Sequence, residues 1–301
     1  DTDEYLQNSK SKILALTNLD AAQPTVSEVL INIDGQINTP IVKYGSYIYF
    51  GTWPGGSNAG KYYQVDVSTT SYTYKTFTPE SYGFYWAGAV KSGNYIYFGS
   101  DNGKLYYRQA GPRFDSTAAT AGGVLDLTDT TIGGASDAGN VRSTVMLDGD
   151  KLYFTSQGKY LWCCTIGSGG APAISWKASL GGTSTSTPTK VGDRIYVGYY
   201  SGFSAGGVQC VGASGSHTVT TVASGFPVQC SILVQGAGTG TDYLYFNTNS
   251  GSGAGYCYSY NGSTGASVWS TDGDTYALGG MAYDNGYLVF GNDYNHLFIV
   301  K

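Results

Sequence analysis

The chain has 301 residues, with 45 glycines, 28 tyrosines, only 12% charged residues and a net charge of −5. So few cations leave no basic patch to neutralise phosphates, which excludes nucleic acid as an expected partner. No apolar run reaches the 18 residues a membrane-spanning helix needs.

A surface so poor in charge must be covered by Ser, Thr, Asn, Gly and Tyr, a composition that points to an extracellular or cell-surface all-β protein. The chain begins at Asp1 without methionine or a signal peptide, so it reads as a mature chain or an excised piece. Residues 1–24 read as an extension. Within it, residues 12–17 look like a third strand, either added or left over from a seventh unit. Residues 26–33 read as a fourth strand without a sheet of its own.

One phrase then returns six times. The copies are Tyr47-Ile-Tyr-Phe-Gly51, Tyr95-Ile-Tyr-Phe-Gly99, Lys151-Leu-Tyr-Phe-Thr155, Arg194-Ile-Tyr-Val-Gly198, Tyr243-Leu-Tyr-Phe-Asn247 and Tyr287-Leu-Val-Phe-Gly291. Their second residues are spaced by 48, 56, 43, 49 and 44 residues. A period of that size, with room for four strands, is the mark of a propeller blade. Each unit reads as a short first strand (Thr39-Pro-Ile-Val), the repeated phrase as second strand, a third strand after a tight turn, and a variable fourth strand. Asn102-Gly103, Gly149-Asp150 and Asn285-Gly286 supply turns that need positive φ.

Two stretches carry a family resemblance. Asn261-Gly-Ser-Thr-Gly-Ala-Ser-Val-Trp269 is followed by Gly279-Gly-Met-Ala-Tyr-Asp-Asn-Gly286, and Ile174-Ser-Trp176 by Ser186-Thr-Pro-Thr-Lys-Val-Gly-Asp193. They resemble the PQQ-like repeat of quinoprotein alcohol dehydrogenase-like β-propellers. The match runs over about residues 25–301 and is degenerate outside the fourth and sixth units. It implies one all-β domain over 1–301, a six-bladed β-propeller of four-stranded antiparallel blades, with seven blades the alternative. The last unit ends after a third strand, so residues 26–33 are expected to pair with it and close the ring.

The same resemblance raises quinone chemistry, because quinoprotein dehydrogenases carry an adjacent-cysteine disulfide beside the cofactor. Cys163-Cys164 would be the candidate. The pair falls where a third strand belongs, however, and adjacent strand residues point to opposite faces. Ordinary strand cysteines are therefore expected, and Cys210–Cys230 is the pairing to test if any bridge forms. Calcium beside a quinone needs carboxylate and amide ligands, yet the only glutamates are Glu4, Glu28 and Glu80. Aspartates such as Asp101, Asp148 and Asp150 read as turn residues. The spacing of the five cysteines and two histidines fits no zinc pattern. No cofactor, metal or catalytic residue is assigned.

The expected function is that of a non-catalytic scaffold that binds a protein or a carbohydrate. A PQQ/calcium-dependent dehydrogenase or a polysaccharide-acting propeller enzyme is the alternative. The candidate ligand-binding residues lie in links on one face: Trp53, Tyr85, Trp86, Tyr199, Tyr200, Asn292 and Asp293. Aromatic rings with amide and hydroxyl neighbours suit sugars and peptide loops. Trp176 and Trp269 sit in fourth strands and are expected to wedge between blades.

Overall fold

The structure, a computed structural model, describes residues 10–55, 57–236, 242–249, 255–274 and 277–301. It opens with a hairpin of β1 (Lys10–Thr17) and β2 (Thr25–Asp34). A first sheet follows, of β3 (Val42–Tyr44), β4 (Tyr47–Gly51), β5 (Tyr62–Asp66) and β6 (Tyr74–Phe77). The second holds β7 (Val90–Ser92), β8 (Tyr95–Ser100), β9 (Lys104–Gln109) and β10 (Gly122–Asp126), and the third β11 (Met146–Asp148), β12 (Lys151–Ser156), β13 (Tyr160–Ile166) and β14 (Pro172–Ser179). The fourth holds β15 (Thr189–Val191), β16 (Arg194–Ser201), β17 (Ala205–Gly212) and β18 (Val219–Ser224), and the fifth β19 (Leu233–Gln235), β20 (Tyr243–Asn247), β21 (Tyr256–Asn261) and β22 (Ser267–Asp272). The sixth has three strands, β23 (Ala282–Asp284), β24 (Tyr287–Gly291) and β25 (Leu297–Val300). Every ladder is antiparallel between strands consecutive in the chain, so each sheet is a meander.

The repeated phrase explains how the sheets stack. Alternate residues of a strand face opposite sides. In the first four copies the second and fourth residues face the preceding sheet and the third faces the next. Ile96 and Phe98 pack with Tyr49 and Tyr62 of the first sheet. Tyr97 turns the other way, to Leu152, Phe154 and Trp162 of the third. Tyr153 meets Ile195 and Val197, and Tyr196 meets Leu244 and Phe246. Both faces of each interior sheet are therefore buried, the arrangement of propeller blades.

The fifth residue of the phrase is small for a steric reason. A Cβ on Gly99 would stand 2.2 Å from Val141 Cγ1, on the link that enters the next sheet. Where Thr155 replaces glycine, its hydroxyl instead donates to Ser186 O at 2.8 Å on the corresponding link. A second device ties each sheet to its own entry link. Thr39 Oγ1 accepts from Gly51 N–H at 2.8 Å, Ser143 Oγ from Thr155 N–H at 2.8 Å, and Cys230 Sγ from Asn247 N–H at 3.3 Å. Cys230 is thus the thiol version of a hydroxyl clasp.

Two sequence expectations need correction. Residues 26–33 do not complete the last sheet: β2 pairs with β1, and no ladder joins it to β25. The reason is that residues 10–17 offer β2 a strand partner of its own. The resulting hairpin lays Ile13, Val29 and Ile33 against Phe50, Tyr63 and Val65 of the first sheet. His217, in the turn before β18, stacks on Trp176 with ring centroids 4.0 Å apart. Asp101 is more than a turn former, as described below.

Trp176 belongs to the packing between the third and fourth sheets. Trp269 meets Tyr245 of its own sheet at 6.4 Å. Cys163 and Cys164 point to opposite faces of β13, into the clusters shared with the fourth and second sheets respectively. Cys210 and Cys230 border one cluster, each as a free thiol.

Candidate functional site

The links that enter the first strands meet around a cavity of about 390 Å³. Each of the six sheets contributes: Thr39, Trp86, Arg142, Thr187, Gln229 and Gly279 come from successive links. Hydroxyls come from Thr39, Thr144, Thr185, Thr187 and Ser231, residues at or near the clasp step of their links. The lining is mixed: hydroxyls and amides alternate with Pro40, Cys230 and Leu278, and it holds one indole and one guanidinium.

The indole and the guanidinium belong to a cluster that crosses the first three sheets. Trp53 sits in the turn between β4 and β5, fixed by exchange of backbone bonds with Gln36 at 2.9 and 3.0 Å. Residues 78–89 are laced to the same turn: Gly60 N–H donates to Tyr82 O at 2.9 Å and Phe84 N–H to Thr52 O at 3.0 Å. This lacing brings the Tyr85 ring to 5.1 Å from Trp53, edge-on, and 4.6 Å from Trp86. Trp86 holds a φ of +57°, a left-handed conformation that bulky residues rarely adopt. Such local strain persists only where the surroundings enforce it, and it concentrates at functional sites.

Arg142 completes the cluster. Val141 N–H donates to Ser100 O at 3.0 Å, which sets the following residue beside the β8–β9 turn. Arg142 Nε and Nη2 then donate to the two carboxylate oxygens of Asp101, at 2.8 and 2.6 Å. The guanidinium carbon lies 4.5 Å from the centre of the Tyr85 ring. Asp101 is only 4% exposed at its side chain. Burial pushes its carboxyl above the usual range, and the Arg142 bonds and charge oppose that shift. The pair is planar, bidentate and partly walled off from water, which gives it geometric definition that surface pairs lack.

The sequence-derived candidates separate into two groups. Trp53, Tyr85 and Trp86 come together around Arg142. Tyr199 and Tyr200 are not in a loop: both lie within β16, opposite Gly207 and Gly206. Tyr200 OH accepts from Gln157 Nε2 at 3.2 Å. Asn292 organises its turn, with Oδ1 accepting from Tyr294 and His296 N–H at 3.0 Å each. Asp293 is exposed on that same turn. None of these four lines the central cavity. Sequence reasoning missed Arg142 and the role of Asp101. The available signal was scarcity, because an arginine inside a link is conspicuous in a chain with so few charges.

The lining does not fit a calcium-held quinone. Its polar groups are hydroxyls, amides and one cation, and the adjacent carboxylate, Asp101, is already committed to Arg142. Among the described residues no three His, Cys, Asp or Glu side chains converge to hold a metal ion, and no helix is long and apolar enough to cross a membrane.

No known family profile matches the chain, and no curated protein does. Solved structures do resemble it. BamB from Moraxella catarrhalis is similar over 97% of this chain and 90% of its own, with 15% identity and a TM-score of 0.60. Chaetomium thermophilum Sqt1, bound to the N-terminus of ribosomal protein L10, is similar over 98% and 79%, with 10% identity and a TM-score of 0.66. A europium-containing methanol dehydrogenase is similar over 80% of this chain and 52% of its own, at 11% identity and a TM-score of 0.55. At these identities the likeness shows the fold, which is a β-propeller.

Proposed function

We propose that this chain is a β-propeller binding scaffold whose partner, a polypeptide or a glycan, docks on the face bearing Trp53, Tyr85, Trp86 and Arg142. The observation that carries the reading is the Trp86–Arg142 rim of the central cavity. A strained indole and a fixed guanidinium border one hollow of mixed lining. Aromatic and arginine side chains on rigid supports are the residue types that dominate binding energy. A protein of similar fold, Sqt1, is bound to the N-terminus of a ribosomal protein. The chain forms one six-unit domain, and its charge-poor, hydroxyl-rich composition suits an extracellular or cell-surface setting.

Glycan-array and peptide-library screening of the whole chain tests this reading. Trp86→Ala should weaken the best ligand by about 1–3 kcal/mol, while Tyr200→Phe leaves it unchanged. A ligand indifferent to Trp86 and Arg142 places the site elsewhere. Quinone- and calcium-dependent reduction of a dye by an alcohol would overturn the scaffold reading.

A further inference from the structure

The hollow where the six links meet is balanced in charge. Among the described residues that line it, Arg142 is the sole ionic side chain. Its Nε and Nη2 are committed to Asp101, at 2.8 and 2.6 Å, so the guanidinium arrives with its counter-charge in place. An anionic ligand would have to share Arg142 with a carboxylate. An ammonium ligand would find the guanidinium and no carboxylate on the wall. Burying a charge without a partner costs far more than burying a neutral polar group that finds hydrogen bonds. The hollow therefore selects an uncharged ligand.

The neutral groups say what that ligand carries. Gln229 Oε1 accepts from Asn249 Nδ2, which leaves Gln229 Nε2 as a donor. Arg142 Nη1 has no protein partner among the described residues and is a second donor. Asn38 Oδ1 accepts no hydrogen bond, and the amide is held by a 3.3 Å bond from Nδ2 to Gln36 Oε1, so it can turn toward a ligand hydroxyl. Ser231 adds a hydroxyl, which both donates and accepts. Leu278 and the Trp86 indole supply apolar wall between these groups. Trp86 is fixed by its left-handed backbone conformation, with the Tyr85 ring 4.6 Å away. A matching ligand has hydroxyls pointing in many directions around a compact ring with C–H faces.

We infer that the hollow takes the terminal ring of an uncharged glycan, entered end-on, with one sugar face on Trp86 and hydroxyls bonded to Arg142, Gln229, Asn38 and Ser231. That ligand class rests on the Trp86–Arg142 rim being the docking face, as proposed above. The size agrees. At about 390 Å³ the hollow is near the lower end of ligand cavities, roughly 300–1,000 Å³, which suits one or two rings. A flat indole gives a sugar face contact area at small entropic cost. A polypeptide fits less well. Its ends are charged at neutral pH, and a loop tip brings two strands side by side, about 4.8 Å apart before side chains are added.

The test probes the whole chain with an array of neutral hexose-, pentose- and N-acetylhexosamine-terminated oligosaccharides, the same cores capped with uronate or sialate, and short peptides. Neutral oligosaccharides should bind, and the uronate-capped form of the best one should bind at least about tenfold more weakly. Saturation-transfer NMR should show the strongest transfer to its terminal ring. In calorimetric titration, Trp86→Ala should weaken that oligosaccharide roughly 5- to 150-fold. Gly279→Phe should abolish binding by filling the hollow while melting as the parent does, because a Cβ there would meet nothing within 4 Å. Gly280→Phe, whose Cβ would meet Ser231 Cβ at 3.9 Å, is a second plug on the same link. Three results overturn the assignment. The first is that no neutral oligosaccharide binds. The second is that peptides or acid-capped glycans bind instead and are weakened by Trp86→Ala and the plugs, in which case the ligand class is wrong and the docking face stands. The third is that a neutral glycan binds and none of these substitutions affects it, in which case the docking face is wrong and the ligand class falls with it.

Discussion

The third and sixth sheets come from the same repeat and end in opposite conditions. In the third, Leu152 and Phe154 meet the second sheet, and Tyr153, Leu161 and Cys163 meet the fourth, all at 3% exposure or less. In the sixth, Leu288 and Phe290 are buried, yet Leu297 and Ile299 are open. The alternation is the same in both strands. Burial is therefore set by the neighbour a strand acquires, and a repeat buries its apolar residues only when stacked on both sides.

That contrast can be broken most directly by truncating a large side chain in each sheet. Trp162 is fully buried, with Nε1–H donating to Ser156 Oγ at 2.9 Å. Trp162→Ala should lower stability by about 3–5 kcal/mol in denaturant unfolding. Leu297→Ala, in the sixth sheet, should cost no more than about 0.5 kcal/mol. A large loss at Leu297 would mean that its face is covered in solution.

The second contrast is between two ion pairs. Asp101–Arg142 is enclosed, whereas Asp115–Lys75 is open to water. Removing one partner of an enclosed pair leaves a buried charge, so Arg142→Ala should cost about 3–5 kcal/mol at neutral pH. The pH dependence has a defined sign. Asp101 has a raised carboxyl pKa in the folded chain, so ionisation there opposes folding. That penalty is present above the folded pKa and fades as pH falls through it toward the unfolded value. Without Arg142 the pKa rises further, so the gap between parent and Arg142→Ala should narrow on acidification. Asp115 behaves in reverse. The Lys75 hydrogen bond lowers its pKa, so its small stabilisation is present above the unfolded pKa and is lost as pH falls through the folded value. Melting curves from pH 7 to about 2 compare the two, because the Asp115 loss falls below the ordinary carboxylate pKa.

Glycine at one repeat position sharpens the comparison further. Gly99 and Gly291 both close a second strand. A Cβ at Gly99 would lie 2.2 Å from Val141, while at Gly291 the nearest atom would be His296 O at 3.7 Å. Gly99→Ala should therefore cost about 1–3 kcal/mol through overpacking. Gly291→Ala should be neutral within about 0.5 kcal/mol. Equal effects would show that the link into a following sheet is not what selects glycine.

Much of the fold was legible because the repeat is written in strand alternation. Tyr47-Ile-Tyr-Phe-Gly51 states both its period and its faces, and the turns announce themselves as Asn-Gly and Gly-Asp pairs. The hairpin was half legible. Residues 12–17 and 26–33 read as strands, but their pairing depended on competition between β1 and the last sheet, which no local pattern encodes. The site was legible where aromatics cluster in sequence, at Tyr85 and Trp86. It was not legible at Arg142 and Asp101, which are 41 residues apart and meet only because Val141 bonds to Ser100. Tyr199 and Tyr200 misled because β16 runs to Ser201, further than its counterparts in the first two sheets extend past the repeated phrase.

The smallest effect belongs to Cys230, the thiol member of the clasp series. Its Sγ accepts from Asn247 N–H at 3.3 Å and donates to Asn247 O at 3.4 Å. Thr39 and Ser143 make the equivalent bonds through oxygen, with acceptor distances of 2.8 Å. Cys230→Ser swaps a long sulfur contact for a geometry the chain already uses twice, so stability should change by less than about 1 kcal/mol. Cys230→Ala removes the acceptor and leaves a buried N–H, so it should cost about 1–3 kcal/mol. Burial pushes the thiol up to about 11, so little thiolate exists at neutral pH and alkylation of the folded chain should be slow. A serine variant as damaged as the alanine one would show that Cys230 serves through its bulk in the core beside Val228 and Ile232 rather than through the clasp.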